Sequence, residues 1–139
     1  MYVKSLKLTD FRNYKEAQVE LVHDRNIVIG LNAQGKTNLI EAIEFASKGH
    51  SNRAVSDNEL IRKGARGCLI EIEFENNMGE NRLSISLEKS LTKSLKSGLA
   101  SLEKRVKING STYKSLRKLN GFLTTVSFKS DDLNLLRGG

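Results

Sequence analysis

Hydrophobic residues alternate with polar ones along four stretches of this chain. The stretches are residues 2–9, 14–22, 68–74 and 83–87. A period of two places successive side chains on opposite faces of a strand, so each stretch is predicted to be a strand with one buried face. The pair Asn-Gly at positions 109–110 stands between two further β-like runs and predicts a hairpin. The sequence therefore predicts a large antiparallel β-component.

A helical period follows the short apolar run NIVIG at residues 26–30, which is predicted to be a buried central strand. In residues 36–47, apolar residues recur every three or four positions, as on one face of an amphipathic helix. A second, short helix is predicted after Ser56 or Asp57, either of which can cap it, and is expected to end at Gly64. Strands combined with a strand-to-helix unit define an α/β fold class.

The stretch KSLTKSLKSGLASLEKR at residues 89–105 fits neither period. It is low in complexity and rich in serine and lysine, so we expect a flexible loop or a marginal element there. Beyond it, the sequence predicts a short helical stretch at residues 113–119, a strand at 122–128 and a capped turn in SDDLNLL. These elements complete a meander of antiparallel strands with few helices.

The connection between the predicted central strand and the helix fits the pattern G-x-x-x-x-G-K-[ST], with Gly30, Gly35, Lys36 and Thr37 at its fixed positions. In such a P-loop, backbone N–H groups from Asn32 onward cradle phosphates, the lysine reaches the β- and γ-phosphates, and the Thr37 hydroxyl ligates Mg²⁺. An ordinary glycine-containing turn with an incidental lysine is the alternative. The strand and helix predicted on either side favour the P-loop.

Hydrolysis by P-loop proteins also requires an acidic residue at a strand end, which helps to hold the Mg²⁺ ion. Asp131 and Asp132 are the candidates, but they follow Phe128 by three and four residues. Capping of a helix by Ser130 or Asp131 explains the same residues. No complete catalytic set is therefore predicted in this chain.

Length and composition exclude several classes of protein. The 139 residues are enough for about one domain with a core. No apolar run approaches the roughly 18 residues of a membrane span, and the N-terminus lacks the apolar core of a signal peptide, so we expect a cytoplasmic protein. The single cysteine, Cys68, excludes an internal disulfide framework and is predicted to be a small core residue. His23 and His50 lack partners at metal-ligand spacing, which favours surface or loop roles.

The net charge of +7 is concentrated in one segment. Residues 89–118 contain nine lysines and arginines against one acid, Glu103. Such a segment can follow a nucleic-acid backbone, while a surface hairpin kept soluble by lysines is the alternative. The candidate DNA contacts are Lys89, Lys93, Lys96, Lys104, Arg105 and Lys107.

Four stretches together resemble, in order, the amino-terminal part of the RecF family of bacterial DNA repair proteins. They are MYVKSLKLTDFRNYKEAQVEL, IVIGLNAQGKTNLIEAIEF, SNRAVSDNELIRKGA and TVSFKSDDLNLLRGG. The resemblance is weakest at residues 89–107. It implies a P-loop NTPase head lobe of the ABC/SMC type, with a hairpin and strand–P-loop–helix unit at 1–48, an antiparallel meander at 49–128 and a Q-loop-like end at 129–139.

The family resemblance also implies a function. It implies an ATPase with ATP and Mg²⁺ as cofactors, which binds DNA at single-strand gaps and duplex junctions, works with RecO and RecR, and helps to load the recombinase RecA in DNA replication, repair and the SOS response. ATP would be sandwiched in an ATP-dependent homodimer. The Walker B acid and the signature motif are expected after this segment, so we expect weak or absent nucleotide binding by the chain alone and no significant hydrolysis.

Site residues follow from the resemblance position by position. Arg12 and Asn13 of the FRNY stretch would lie beside the nucleotide, and Thr37 and Asp131 are the candidates at the metal ion. The full set of implied nucleotide-binding residues is Arg12, Asn13, Gly30, Asn32, Ala33, Gln34, Gly35, Lys36, Thr37 and Asn38.

Two other functions fit parts of the sequence. One is a nucleic-acid-binding module in which the basic segment binds DNA and the P-loop is vestigial. The other is the amino half of a different SMC-like ATPase. A coiled-coil arm would need sustained heptads, and the stretch after the helix is short and is interrupted by Gly98, which argues against the second.

Overall fold

The computed structural model of the chain describes residues 2–22, 33–51, 54, 56–93, 100–119 and 123. In chain order the elements are β1 (Tyr2–Phe11), β2 (Tyr14–Glu20), α1 (Ala33–Lys48), a first 3-10 helix (Asp57–Leu60), β3 (Gly67–Asn76), β4 (Gly79–Lys93), β5 (Ala100–Ile108), β6 (Ser111–Tyr113) and a second 3-10 helix (Leu116–Leu119). The described strands form one six-stranded sheet in the order β2-β1-β3-β4-β5-β6. All neighbouring pairs are antiparallel, which confirms the predicted antiparallel component.

The inner face of the sheet is a continuous apolar surface. One row of cross-strand partners runs from Leu8 through Ile70 and Ile85 to Val106, and all four side chains are buried. Directly opposed β-branched and aliphatic side chains stabilise each pair of strands. A slip of one residue would turn a whole apolar set to solvent, so burial of this face fixes the register.

Helix α1 covers part of this inner face. Ala42, Phe45 and Ala46 are fully buried in the same cluster as the strand residues. Their spacing of three and four residues places them on one stripe of the helix. Complete burial of an aromatic side chain such as Phe45 is worth about 1.5–3 kcal/mol. The predicted helix is confirmed. It ends at Lys48 and is followed by Gly49, whose φ of 78° is the left-handed conformation typical of the residue after a helix.

The first 3-10 helix confirms the predicted short helix but is shorter than expected. Ser56 caps it by accepting a hydrogen bond from the Asn58 backbone N–H at 3.3 Å. The helix ends at Leu60 rather than at Gly64, because Ile61 is extended and forms a β-bridge with Phe11. Pairing of Ile61 with the end of β1 therefore replaces a further turn of the helix.

Both ends of the serine- and lysine-rich stretch, for which a flexible loop or a marginal element is expected, lie in strands and not in a loop. β4 continues to Lys93 and β5 begins at Ala100. Leu102 pairs with Lys89 across the two strands and packs against the core, so long-range burial anchors a sequence whose own pattern is weak. The register shifts between Lys89 and Lys93, and residues 94–99 lie outside the described part of the chain.

Several other predictions can be placed. Cys68 is a core residue, as predicted, and burial raises the pKa of its thiol to about 12. The helical stretch expected at 113–119 is a 3-10 helix over Leu116–Leu119. The strand expected at 26–30 lies outside the described residues, as does that at 122–128 except for Leu123, which is buried. No helix in the described part of the chain combines the length and apolar character that crossing a membrane requires.

The turn between β5 and β6 is the predicted Asn-Gly hairpin. Asn109 has φ 49° and Gly110 has φ 93°, and two successive positive values are what a type I′ turn requires. The Asn109 side chain also accepts a hydrogen bond from the Arg82 backbone N–H at 2.8 Å and donates one to Asn81 Oδ1 at 2.9 Å. The turn is therefore tied to β4 as well as to its own strands.

Replacing Gly110 tests this turn. We expect Gly110→Ala to lower the free energy of unfolding by about 1 kcal/mol, because alanine resists a positive φ. A Cβ at this position would meet no atom within 4 Å, so the cost is conformational and Gly110→Asn should be milder. Urea denaturation measures both, with Ser111→Ala as the exposed control. Equal stability of the alanine variant and the parent would contradict the turn assignment.

Candidate functional site

The P-loop sequence leads into the first turn of α1. Gly30 and Asn32 lie outside the described residues, and the next four predicted residues begin the helix: Ala33, Gln34, Gly35 and Lys36. Thr37 follows as an exposed residue and Asn38 as a buried one. The first N–H groups of a helix have no intrahelical partner and carry partial positive charge, which suits an anion. The nucleotide-binding role of these residues stays a prediction.

The FRNY stretch forms the tight turn between β1 and β2. Phe11 pairs with Tyr14, which leaves Arg12 and Asn13 as the two turn residues. Asn13 Oδ1 accepts a hydrogen bond from Asn38 Nδ2 at 2.8 Å. Since Asn38 follows Thr37 directly, the turn contacts the helix next to the predicted phosphate-binding residues. Two regions that only the family resemblance had linked are thus in contact.

Arg12 forms a bidentate ion pair with Glu41 of α1. Arg12 Nε and Nη2 lie 2.8 and 2.9 Å from the two carboxylate oxygens. The side chains are 19% and 2% exposed, so the pair is largely removed from water. Ser51 Oγ donates to the same carboxylate at 2.6 Å. The hydrogen bond with Glu41 raises the pKa of Arg12, and burial partly opposes that shift.

Sequence reasoning missed Glu41 and Ser51. A signal for Glu41 was present, because it stands four residues before Phe45 and three after Asn38 and therefore lies on the inward stripe of the helix. A carboxylate on such a stripe needs a buried partner. No local pattern marks Ser51, which reaches the carboxylate only because the chain turns back after α1.

The backbone at the end of β1 is strained. Asp10 and Arg12 have φ values of 52° and 54°, in the left-handed region that non-glycine residues seldom adopt. Three contacts hold this conformation. The Arg12 N–H donates to Leu60 O at 2.8 Å, the Arg62 N–H donates to Asp10 O at 2.7 Å, and Arg62 Nε pairs with Asp10 Oδ1 at 2.9 Å. Strain of this kind persists where surrounding structure fixes it, and it clusters at functional sites.

The predicted DNA contacts do not share one face of the sheet. Lys104 pairs with buried Leu87, so it lies on the inner side, where its Nζ forms an ion pair with Asp57 at 2.7 Å. Arg105 and Lys107 alternate with it and are exposed on the outer face. Lys89 is half-buried, the side chain of Lys93 is outside the described residues, and Lys96 is outside them entirely.

The outer face of the sheet carries both signs of charge. A groove of about 500 Å³ there is lined by Lys7, Arg82 and Lys107 together with Glu71 and Glu73. Arg82 Nε lies 3.2 Å from Glu73 Oε1 in an exposed ion pair. The acidic side chains reduce the positive field that Lys107 and its neighbours could offer to a phosphate backbone.

Of the predicted metal ligands, Thr37 lies in the described part of the chain, and Asp131 lies outside it together with His23. His50 is exposed beyond the end of α1. Within the described residues, no group of three or more histidine, cysteine, aspartate or glutamate side chains could hold a metal ion.

The fold and the site together identify the structural class of the protein. An antiparallel lobe whose helix begins in a P-loop sequence is the arrangement of P-loop ATPase heads of the ABC/SMC type. One similar solved structure is that of the recombination mediator protein RecF with ATP in the RecFOR pathway, with a TM-score of 0.80, 28% identity, and coverage of 97% of this chain and 34% of that one. An SMC head domain from Thermotoga maritima shares the fold, with a TM-score of 0.59, 23% identity, and coverage of 86% and 41%.

Sequence comparison identifies the family. The DNA replication and repair protein RecF of Gloeobacter violaceus is 38% identical over 138 residues, which are 99% of this chain and 34% of that protein. The family described as the RecF/RecN/SMC N terminal domain matches residues 2–138. The chain belongs to this family, and the predicted resemblance to RecF is confirmed. It spans about a third of the length of the curated relatives that it matches.

Breaking the buried pair from one side tests its energetic role. We expect Arg12→Met to lower the free energy of unfolding by about 3 kcal/mol, because it removes both guanidinium hydrogen bonds from the buried Glu41 carboxylate. The double variant with Glu41→Gln should recover part of that loss, since it removes both charges. Chemical denaturation checks this, with Lys15→Met on exposed β2 as the control. Strictly additive losses would contradict a direct interaction.

Proposed function

We propose that this chain is the ATP-binding lobe of a RecF-like DNA replication and repair ATPase. The observation that carries the proposal is the contact of the FRNY turn with the second and third turns of α1, through Asn13 to Asn38 and Arg12 to Glu41. Family membership and the similar fold of an ATP-bound RecF support it. The turn brings the cation of Arg12 against the helix that follows the P-loop sequence, at Glu41, four residues after Thr37.

Each residue has a role in the proposed complex. Backbone N–H groups of the P-loop and the start of α1 would hold the phosphates, and Lys36 would neutralise the β- and γ-phosphates. The Thr37 hydroxyl would ligate Mg²⁺, and its exposure at the start of the helix suits that role. Arg12 and Asn13 would border the nucleotide from the β1–β2 turn. Asp131 is proposed as a second group at the metal ion.

Binding and hydrolysis are expected to separate in this chain. A P-loop supplies phosphate contacts, while turnover also needs an acidic residue at the metal and a group that orients the attacking water. We propose that those groups belong to the parent ATPase and its ATP-dependent homodimer. Of the two outcomes expected from the sequence, weak and absent binding of ATP by the chain alone, we propose weak binding, because the FRNY turn already contacts α1. Hydrolysis should have no significant rate.

Lys36→Ala tests the nucleotide site. We expect MgATP to shift the amide resonances of α1 in a saturable way, with a Kd on the order of a millimolar, and we expect the variant to lose this response. Lys48→Ala, at the other end of the same helix, is the matched control and should bind as the parent does. A response that survives in Lys36→Ala would contradict the assigned site, and turnover lost in that variant would contradict the expected separation.

The cellular role is proposed from the relatives. The ATP-bound RecF of similar fold is a mediator protein of the RecFOR pathway. We propose the same context here: binding at single-strand gaps and duplex junctions, with RecO- and RecR-like partners, to help load the recombinase, including in the SOS response. We also propose that the protein acts in the cytoplasm.

DNA contact by the basic segment is a second proposed activity. Arg105 and Lys107 support it, because both are exposed and lie on one face of β5. Contacts of this kind read the phosphate backbone rather than bases. Lys104 is less available, since it pairs with Asp57. If this activity ignores ATP, the chain acts as a nucleic-acid-binding module with a vestigial P-loop.

Charge reversal separates these contacts. We expect Arg105→Glu combined with Lys107→Glu to weaken DNA binding and to reduce the slope of log affinity against log salt by about two. Lys104→Met should leave both quantities unchanged, because its charge is directed to Asp57. Gel-shift titrations at two salt concentrations, with and without ATP, measure the effect. Unchanged DNA affinity of the variant with both reversals would contradict this activity. The basic segment would then be a surface hairpin kept soluble by its lysines.

A further inference from the structure

We infer that Glu41 is a positioning residue, which directs the Arg12 guanidinium toward an anion at the start of α1. The inference rests on the proposed nucleotide site and adds a residue that the P-loop pattern does not include. Glu41 would not touch the nucleotide. It would act through Arg12, by fixing which edge of the guanidinium is available to a phosphate.

The guanidinium of Arg12 has two edges, and Glu41 occupies one. A guanidinium carries five N–H donors in a planar fork, and Nε with one Nη forms a bidentate edge. That edge of Arg12 lies on the two oxygens of Glu41. Among the described residues, the side chain of Arg12 makes no other hydrogen bond. The Nη1 edge therefore retains donors in the geometry that phosphate oxygens accept.

Glu41 itself is held in place. Its backbone belongs to α1, its side chain is 2% exposed, and Ser51 Oγ donates to Oε2 at 2.6 Å. The same Ser51 oxygen accepts a hydrogen bond from the Ala54 N–H at 3.3 Å, which fixes the hydroxyl in turn. A carboxylate constrained in this way transmits its orientation to the planar group that it binds.

The position of the Arg12–Glu41 pair along α1 supports this positioning role. Thr37 and Glu41 are four residues apart and therefore lie on one face of α1. The neighbouring residue of the turn, Asn13, bonds Asn38 on the same part of the helix. Asn38 and Glu41, the two helix residues that the turn contacts, follow Thr37 by one and four residues, so the turn meets α1 within about one helical turn of Thr37, where the triphosphate is proposed to bind.

Charge and positioning predict opposite results for Glu41→Gln. The substitution removes one negative charge near the site, and by charge alone the variant should bind MgATP more tightly. If Glu41 positions Arg12, the variant should bind MgATP about five- to tenfold more weakly. Glu59→Gln is the matched control, because Glu59 acts on Arg12 only through space and its removal adds the same charge without breaking a hydrogen bond to Arg12.

A double-mutant cycle excludes a purely structural role. We expect Glu41→Gln to have no further effect on MgATP affinity when Arg12 is already methionine, because no guanidinium is left to position. A structural role would weaken binding by the same factor in both backgrounds. Ser51→Ala is a milder variant that keeps both charges, and a twofold to threefold weakening is expected from it even if Glu41→Gln folds poorly.

A readout without ATP completes the experiment. The Arg12 Nε–H resonance should be shifted downfield and slow to exchange in the wild-type chain and in Glu59→Gln, and it should lose both properties in Glu41→Gln. Tighter or unchanged MgATP binding by Glu41→Gln, or equal losses in both backgrounds, would overturn the positioning role alone. No MgATP binding by the wild-type chain would overturn the proposed function and this inference together.

Discussion

The pairing of β1 with β2 on one edge and with β3 on the other determines where the candidate site forms. β1 joins the N-terminal hairpin to the meander, so that the described strands share one apolar face. Because both edges of β1 are paired, the turn at its end has little freedom. Arg12 and Asn13 stand in that turn, and α1 packs on the same buried face. Burial of the sheet therefore places the turn beside α1 at Asn38 and Glu41, just after the P-loop sequence.

The Arg12 to Glu41 pair is costly for a structure that needs only stability. Taking two charges out of water is expensive, and apolar residues of similar volume are often as stabilising as a buried ion pair. The left-handed backbone of Arg12 adds a cost of its own. Both costs fall on Arg12. Two hydrogen bonds to Glu41 and one to Leu60 hold the residue in this conformation. A fixed direction for the guanidinium is the property that this arrangement gains.

Much of the fold follows from local pattern, and the site follows from it only in part. Alternation in β1, β3 and β4, the apolar stripe of α1 and the Asn109–Gly110 turn are local features, which sequence can express. The placement of β1 beside β3 is not local, because a period of two marks a buried face but names no partner. The strand around Leu102 likewise depends on contacts with residues distant in sequence, which the local pattern does not identify. The position of Glu41 on the inward stripe of α1 indicates from sequence that its carboxylate is buried, but the sequence does not identify Arg12 as its partner.

The first 3-10 helix connects the two regions for which functions are proposed. Asp57 at its start pairs with Lys104 of β5, and Leu60 at its end accepts the N–H of Arg12. The same short element thus limits how far the basic strand contributes positive charge and how the turn beside α1 is held. A change in this helix would act on both at once, whereas Arg105 and Lys107, on the opposite face of the sheet, can vary without disturbing Arg12. The proposed DNA contacts on the outer face can therefore vary independently of the proposed nucleotide site, whereas Lys104 on the inner face and Arg12 are both linked to the first 3-10 helix.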